Sequence, residues 1–309
     1  MRDVTHGQGR IYELRQLCEA MQGLPNQGQS RQGGQRAAAL FEDKFCGFHV
    51  HPLGETSQAA LYHEKHQVAP VFWRRTHAFR IGRIHYLLSD IERSLFYCLD
   101  WEDSVADIRE QFPLDRSLTT LTAQACNIPH PRFPGVTTPM VMTTDFVVDA
   151  WVGGKLVQTA YAVKSGKDLD QPRTLEKLEI ERLYWESKEV EWSIVTPAVL
   201  PTRLIRNIEW VHNFYRLEGL VEPHPSFYQD AGRRMRAQVS ASPGLSLRQF
   251  CGDMEVRLGL GSEEGLMLFR HLLATKSVFC DMESVVLSDP PITMASFRTL
   301  PGERQENRA

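Results

Sequence analysis

Asp145 and Lys164 are the residues of this chain whose types and spacing suit a hydrolytic reaction. They lie in the stretch from Met142 to Asp170, which reads as two β-strands joined by a turn. Thr144, Phe146 and Val148 alternate with Asp145 and Val147, and this β-branched and aromatic content favours a strand. Gly153-Gly154 breaks the pattern as a hairpin turn does. Leu156 to Val163 is again strand-like and delivers Lys164 at its end. A carboxylate on one strand and a lysine ending its neighbour can face a common point. Such a pair suits metal-assisted hydrolysis of a phosphodiester: Asp145 holds a divalent cation that polarises the phosphate and lowers the pKa of a bound water. Lys164 orients that water or offsets charge building on the phosphoryl oxygens. The plain alternative is a sheet that happens to carry an Asp and to end a strand in Lys.

The elements that must position this pair are legible around it. LLSDIERSLFYCLDW is a helix with Ser89 as N-cap and Glu92 three residues on, the capping-box spacing, and Ile91, Leu95 and Leu99 form its apolar face. Glu92 has two readings: it caps the helix, or it projects from the first turn and completes a metal site with Asp145 and Lys164. VADIREQFPL reads as a buried strand ended by Pro113, with Asp107, Arg109 and Glu110 forming an internal ion pair. Arg173 to Ser187 is a helix on which Glu181 has Leu178, Tyr184 and Trp185 as same-face neighbours. A carboxylate among apolar groups needs a cation or strong hydrogen bonds, so Glu181 either approaches the site or pairs with a lysine or arginine, the second being favoured. Lys167 and Asp168 are placed on the loop after Lys164, within reach of phosphate or simply solvated.

Composition bounds the rest. A chain of 309 residues with 42% hydrophobic and 24% charged residues has ample core for two domains and is not globally disordered. No apolar stretch is long enough to cross a bilayer and no signal-peptide core stands near Met1, so a cytoplasmic location and no membrane partner are expected. Six cysteines without a CxxC pair read as reduced, mostly buried thiols. The net charge of −3 is unpromising for binding DNA unaided, so a local basic groove or a partner that delivers the DNA is expected. The groove is sought in VFWRRTHAFRIGRIH, where Arg74, Arg75, Arg80, Arg83, His77 and His85 interleave with aromatic and apolar residues on strand-like backbone. His49, His51, His63 and His66 match no familiar zinc spacing.

Residues 1–37 are rich in Gly and Gln and read as a flexible extension, with Arg31 and Arg36 as DNA contacts or part of a solvated tail. Residues 38–200 form the catalytic domain, ending after WSIVT and before Pro201. Residues 201–297 follow as a small domain: a helix or helix pair around Trp210, a helix capped by Ser246, a helix started by Ser262, and a strand over Lys276 to Leu287. Helix, helix, strand fits a winged-helix-like module. Its second helix opens with Glu263-Glu264 and holds only Arg270, which favours protein docking over base readout. The tail from 298 to 309 reads as disordered.

The strings GRIHYLLSDIE, VADIREQFPL, MTTDFVVD, AVKSGKDLDQPRTLEKLEIERLYW and NIEW, in that order across roughly residues 75 to 215, resemble the TnsA endonuclease subunit of Tn-seven-like transposons. The resemblance implies an α/β restriction-endonuclease-like fold of the PD-(D/E)xK superfamily, a mixed sheet flanked by helices, followed by the winged-helix-like domain. It implies cutting of the 5′ strand at each transposon end, within a cut-and-paste transposase. A TnsB-type DDE transposase would cut the 3′ ends, and a TnsC-type ATPase would meet the C-terminal domain. It places catalytic roles on Glu92, Asp145 and Lys164, and a further acidic position on Glu181. Mg²⁺, with Mn²⁺ able to substitute, is then held by Glu92, Asp145, the Val163 carbonyl, water and DNA phosphate, because Mg²⁺ keeps several waters and needs few carboxylates. The chain departs from the pattern at Ala162, which stands two before the lysine where many nucleases carry an acid. A stand-alone restriction or repair nuclease and a non-catalytic nuclease-fold adaptor are the alternatives.

Overall fold

The computed structural model describes residues 74–77, 84–132, 135, 137–217, 225–288 and 292–299. The N-terminal extension, the histidine cluster, Arg80, Arg83, Cys18 and Cys46 lie outside the described residues. The chain divides after Leu200 into two compact units.

The first unit opens with β1 (Arg74–His77) paired antiparallel to β2 (Ile84–Leu87). Helix α1 (Asp90–Trp101) follows Ser89, which has extended backbone and whose hydroxyl accepts the Glu92 N–H at 3.1 Å. Leu95, Phe96 and Leu99 form its buried side, while Ile91 stays half-buried. The main sheet runs in the order β3 (Val105–Pro113), β4 (Thr143–Val152), β5 (Lys155–Val163), β6 (Glu191–Val195). Between β3 and β4 lies α2 (Arg116–Ala125), capped by Asp115.

β4 and β5 form the expected hairpin, and Gly153 and Gly154 turn it with φ of +58° and +79°. Two consecutive positive φ values define the turn whose twist matches paired strands, and glycine adopts them without a Cβ clash. β5 and β6 run parallel, which requires a crossover. The short α3 (Gly166–Leu169) and the long α4 (Pro172–Glu186) supply it. Lys167 and Asp168 therefore sit on a helical turn rather than a loop. Its cause is local: Ser165 and Asp168 cap one another reciprocally.

Val147 and Ala160 of the sheet pack with Ala123 of α2 and Ile180, Tyr184 and Trp185 of α4. Phe146 and Val148, on the other face of β4, are equally buried, so the sheet is covered on both sides. The ion pair expected on β3 crosses to the next strand: Arg109 meets Asp149 at 2.6 Å and Asp107 at 3.5 Å.

The second unit contains α5 (Thr202–His212), α6 (Pro225–Gln238), α7 (Leu247–Leu258) and α8 (Glu264–Ala274). Ser246 caps α7 reciprocally with Gln249, as its sequence predicts. α8 is preceded by Glu263 at φ +70° rather than by a Ser262 cap, and its buried side is Leu268, Phe269, Leu272 and Leu273, with Leu266 half-buried. α7 and α8 meet so closely at Gly265 that an added Cβ would stand 2.5 Å from the Cys251 carbonyl oxygen.

The strand expected over Lys276 to Leu287 is not formed; Phe279 makes only an isolated bridge to Arg298. The backbone groups a strand would use are engaged elsewhere. Ser277 and Val278 donate to the Leu272 carbonyl at the end of α8. The Asn207 side chain donates to the Met282 and Val285 carbonyls and accepts from the Leu287 N–H. Cys98 and Cys251 are buried thiols and Cys126 and Cys280 half-buried ones, none of them in a disulfide. Among the described residues no helix is long and apolar enough to cross a membrane.

Candidate active site

The β4–β5 ladder ends at the Phe146–Tyr161 pair, and beyond it the two strands part around one side chain. The Asp145 Oδ2 accepts the Val163 N–H at 2.6 Å and the Lys164 ammonium at 2.7 Å. Lys164 also donates to the Val163 carbonyl at 2.9 Å, while its own N–H is tied to Val195 of β6. The side chains of Asp145 and Lys164 keep 14% and 25% of their surface, so the pair is held by the sheet yet open to a ligand. Burial works against the Lys164 ammonium, but the charge and hydrogen bond of Asp145, with Glu181 and Glu92 behind it, hold its pKa above the ordinary lysine value.

Glu92 caps the helix, the first of its two readings. Its carboxylate accepts the Leu88 N–H and the Ser89 hydroxyl, each at 3.0 Å, closing the start of α1. It also lies in the field of the site: burial first, and the Asp145 charge second, push its pKa up to about 7. The same two hydrogen bonds hold the carboxyl at the start of the helix.

Glu181 does not take the lysine or arginine partner favoured from sequence. It accepts the Trp192 indole N–H at 3.0 Å and a hydrogen bond from Thr144. The Thr144 oxygen in turn accepts the Trp185 N–H at 2.7 Å. Glu181 is 5% exposed. Burial and then the Asp145 charge push its pKa up to about 7, opposed in part by these bonds and by Lys164. Among the described residues its hydrogen-bond donors are neutral, and Asp145 and Lys164 reach it through their charge.

Among the described residues no three His, Cys, Asp or Glu side chains converge closely enough to hold an ion by themselves. The oxygens at the fork are those of Asp145 and the Val163 carbonyl, and the Glu92 and Glu181 carboxyls, which feel the Asp145 charge, are raised to about 7. That donor set and that excess of acid fit a hard divalent cation completed by water or phosphate. Ala162 is fully buried and brings no polar group.

One neighbour of Asp145 has no signal in the sequence. Gln111 of β3 donates its amide to Asp145 Oδ1 at 3.3 Å from a backbone with φ of +47°. Only the strand register, which sets β3 beside β4, could have found it.

Of the expected DNA-contacting residues, Arg74 and Arg75 lie on β1, opposite Leu87 and Tyr86. Lys167 is exposed on α3. His85 is corrected: it is fully buried on β2, stacked 4.7 Å from Phe96, with Nδ1 at 2.7 Å from Glu110. It cannot meet a phosphate. In the second unit, Arg270 lies 4.1 Å over Trp210 and 4.9 Å from the Phe214 ring, beside a cavity of about 920 Å³.

Residues 102–197 match the family described as TnsA-like endonuclease N terminal, and residues 200–282 match TnsA endonuclease C terminal. The chain is 45% identical over 139 residues to the Transposon Tn7 transposition protein TnsA of Escherichia coli, a span of 45% of this chain and 50% of that protein. It thus spans about half the length of the curated relative it matches.

Proposed function

We propose that this chain, which belongs to the TnsA-like endonucleases, hydrolyses one strand of double-stranded DNA at each transposon end, the 5′ strand, as one subunit of a heteromeric cut-and-paste transposase in the bacterial cytoplasm. The observation that carries this reading is the Asp145–Lys164 pair at the β4–β5 fork, which lies with Glu181 inside the stretch matched to the N-terminal family. Glu92 stands just ahead of that stretch and reaches the same field from α1.

Asp145, Glu92 and the Val163 carbonyl would hold Mg²⁺, or Mn²⁺ in its place. When bound, the ion polarises the phosphate and lowers the pKa of a coordinated water. Asp145 is hydrogen-bonded on both oxygens and so presents its carboxylate in a fixed orientation. Glu92, with a pKa of about 7, gives up its proton readily once positive charge stands beside it. Lys164, held charged, places its ammonium where negative charge builds on the phosphoryl oxygens as water attacks in line. The products are a 5′-phosphate and a 3′-hydroxyl. Arg74, Arg75, Arg80, Arg83 and Lys167 are the proposed phosphate contacts. Glu181 acts as a secondary acidic group that adjusts the charge of the site.

The second unit is proposed to dock a TnsC-type AAA+ ATPase, while a TnsB-type DDE transposase cuts the other strand. Docking is supported by the acidic start of α8. There Glu264 is tied to Tyr228 and to the Gly261 N–H, and the α8 guanidinium, that of Arg270, is already stacked on aromatic rings.

The test is strand-specific cleavage of a transposon-end duplex with Mg²⁺, with and without the cognate transposase, for the wild type and Asp145→Ala. The expected outcome is a 5′-strand cut by the wild type only with its partner, and loss of that cut alone in the variant. Identical products from both proteins would establish a non-catalytic adaptor, a reading that Ala162 favours. Partner-free cutting of arbitrary DNA would establish an independent nuclease.

A further inference from the structure

Asp145 uses its two oxygens unequally. Oδ2 carries both the Val163 N–H and the Lys164 ammonium, whereas Oδ1 receives Gln111. Gln111 falls between the registered pairs Glu110–Phe146 and Phe112–Thr144, directly opposite Asp145 in the β3–β4 ladder. Its side chain is anchored at the far end, where the Thr143 hydroxyl donates to Oε1 at 3.3 Å. That bond determines which end of the carboxamide faces Asp145: the acceptor is turned to Thr143, and the N–H to the carboxylate.

The backbone beneath this amide is strained. Five non-glycine residues among the described ones have positive φ, and Gln111 is the one that lies inside a strand. Asn127, Glu189, Glu263 and Lys276 sit beside helix or strand ends, where the left-handed conformation is common. A β-strand gains nothing from that conformation at a residue with a Cβ, and glutamine is not a residue that adopts it readily. Strain held where the register is unbroken on either side, between the Glu110–Phe146 and Phe112–Thr144 pairs and beside a proposed ion ligand, points to a side chain whose placement matters.

We propose that Gln111 is a positioning residue for the reaction: its amide fixes Asp145 so that Oδ1 faces the divalent ion while Oδ2 stays on Lys164. This inference rests on the metal-dependent reading of the Asp145 site. A carboxylate ligand needs such an outer partner because an unrestrained one rotates, and losing the partner typically weakens metal binding or activity by about 10–100-fold.

The experiment titrates Mn²⁺ into the full chain and follows its melting temperature without metal. Gln111→Gly removes the amide and relieves the backbone. It is expected to melt at or above the wild-type temperature, to bind Mn²⁺ about 10–100-fold more weakly, and to lose cleavage in parallel. In an Asp145→Asn background the same substitution should change Mn²⁺ binding no further, because Gln111 acts through that carboxylate. Thr143→Val leaves the Gln111 backbone untouched but frees its amide to turn, and should weaken Mn²⁺ binding about threefold. If Gln111→Gly and Thr143→Val bind Mn²⁺ as the wild type does while Asp145→Asn does not, Gln111 has no positioning role. If the wild type itself binds Mn²⁺ no better than Asp145→Asn, the metal-dependent reading fails instead.

Discussion

Glu110 and Glu181 are buried to the same depth in the same unit, at 4% and 5% exposure, yet their surroundings differ. Glu110 meets the His85 ring at 2.7 Å and the Tyr86 N–H at 3.3 Å, closed in between β2 and β3. Glu181 meets neutral donors, Trp192 and Thr144, and shares with Asp145 and Glu92 the field of a single ammonium, Lys164, which is bonded to Asp145. A buried carboxylate that exists for the fold is matched by its own partner. Among the described residues, the acids at the β4–β5 fork share the Lys164 charge, and the Glu92 and Glu181 carboxyls are raised to about 7, toward the protonated form.

The largest expected effect lies at the matched pair. His85→Ala removes a fully buried ring that bonds Glu110 and packs against Phe96, leaving the carboxyl with the Tyr86 N–H, and should cost about 3–5 kcal/mol in chemical denaturation, whereas replacing both residues by apolar ones of similar volume should cost far less. Equal losses for the single and double variants would show that the pair is not a coupled unit.

At the fork the corresponding loss is of function. Lys164→Ala should lower strand cleavage about 10²–10³-fold in single-turnover assays while leaving the urea midpoint near that of the wild type. A collapse of stability without a specific loss of rate would make Lys164 a structural residue like His85.

A smaller effect separates the two glutamates by pH. The Glu181 carboxyl is raised to about 7 from an ordinary 4.5, so the folded state binds its proton more tightly than the unfolded chain does. The stability this contributes is complete below 4.5 and is lost as pH rises through about 7. Glu181→Gln should therefore flatten the fall in metal-free stability between pH 5 and 8, and at pH 8 should exceed the wild type by about 2–3 kcal/mol. Parallel pH profiles for the two proteins would mean that Glu181 is not held as its burial implies.

The smallest effect is on the surface. Arg182 bridges Glu179 and Glu186 on the half-exposed side of α4, and Arg182→Ala should change stability by less than about 1 kcal/mol. A larger change would show that ion pairing on α4, and not only packing beneath it, sets where Glu181 stands.

Much of the site was legible because its main residues carry local signals. Asp145 and Lys164 are joined through a hairpin with a Gly-Gly turn, and Glu92 sits at capping-box spacing from Ser89. Periodicity also located α4 and α7 to within a residue or two. The misreadings share a different origin. His85 looked like part of a basic, aromatic face, but the alternation of β2 turns it inward with Leu87, where Glu110 meets it. Lys276 to Leu287 alternates as a strand does, yet one buried amide, Asn207, takes up three of its backbone groups.

The sequence by itself determined what depends on neighbours within a helical turn or a tight hairpin: caps, turns, apolar stripes, and the chemistry available at Asp145, Lys164 and Glu92. The tertiary structure alone decided which charges share a field, that Glu181 accepts from Trp192 and Thr144, and that Gln111 faces Asp145. The reason is physical. Local backbone preferences act over a few residues, whereas the energy of a buried charge is set by groups that strand register and helix packing bring to it from distant parts of the chain.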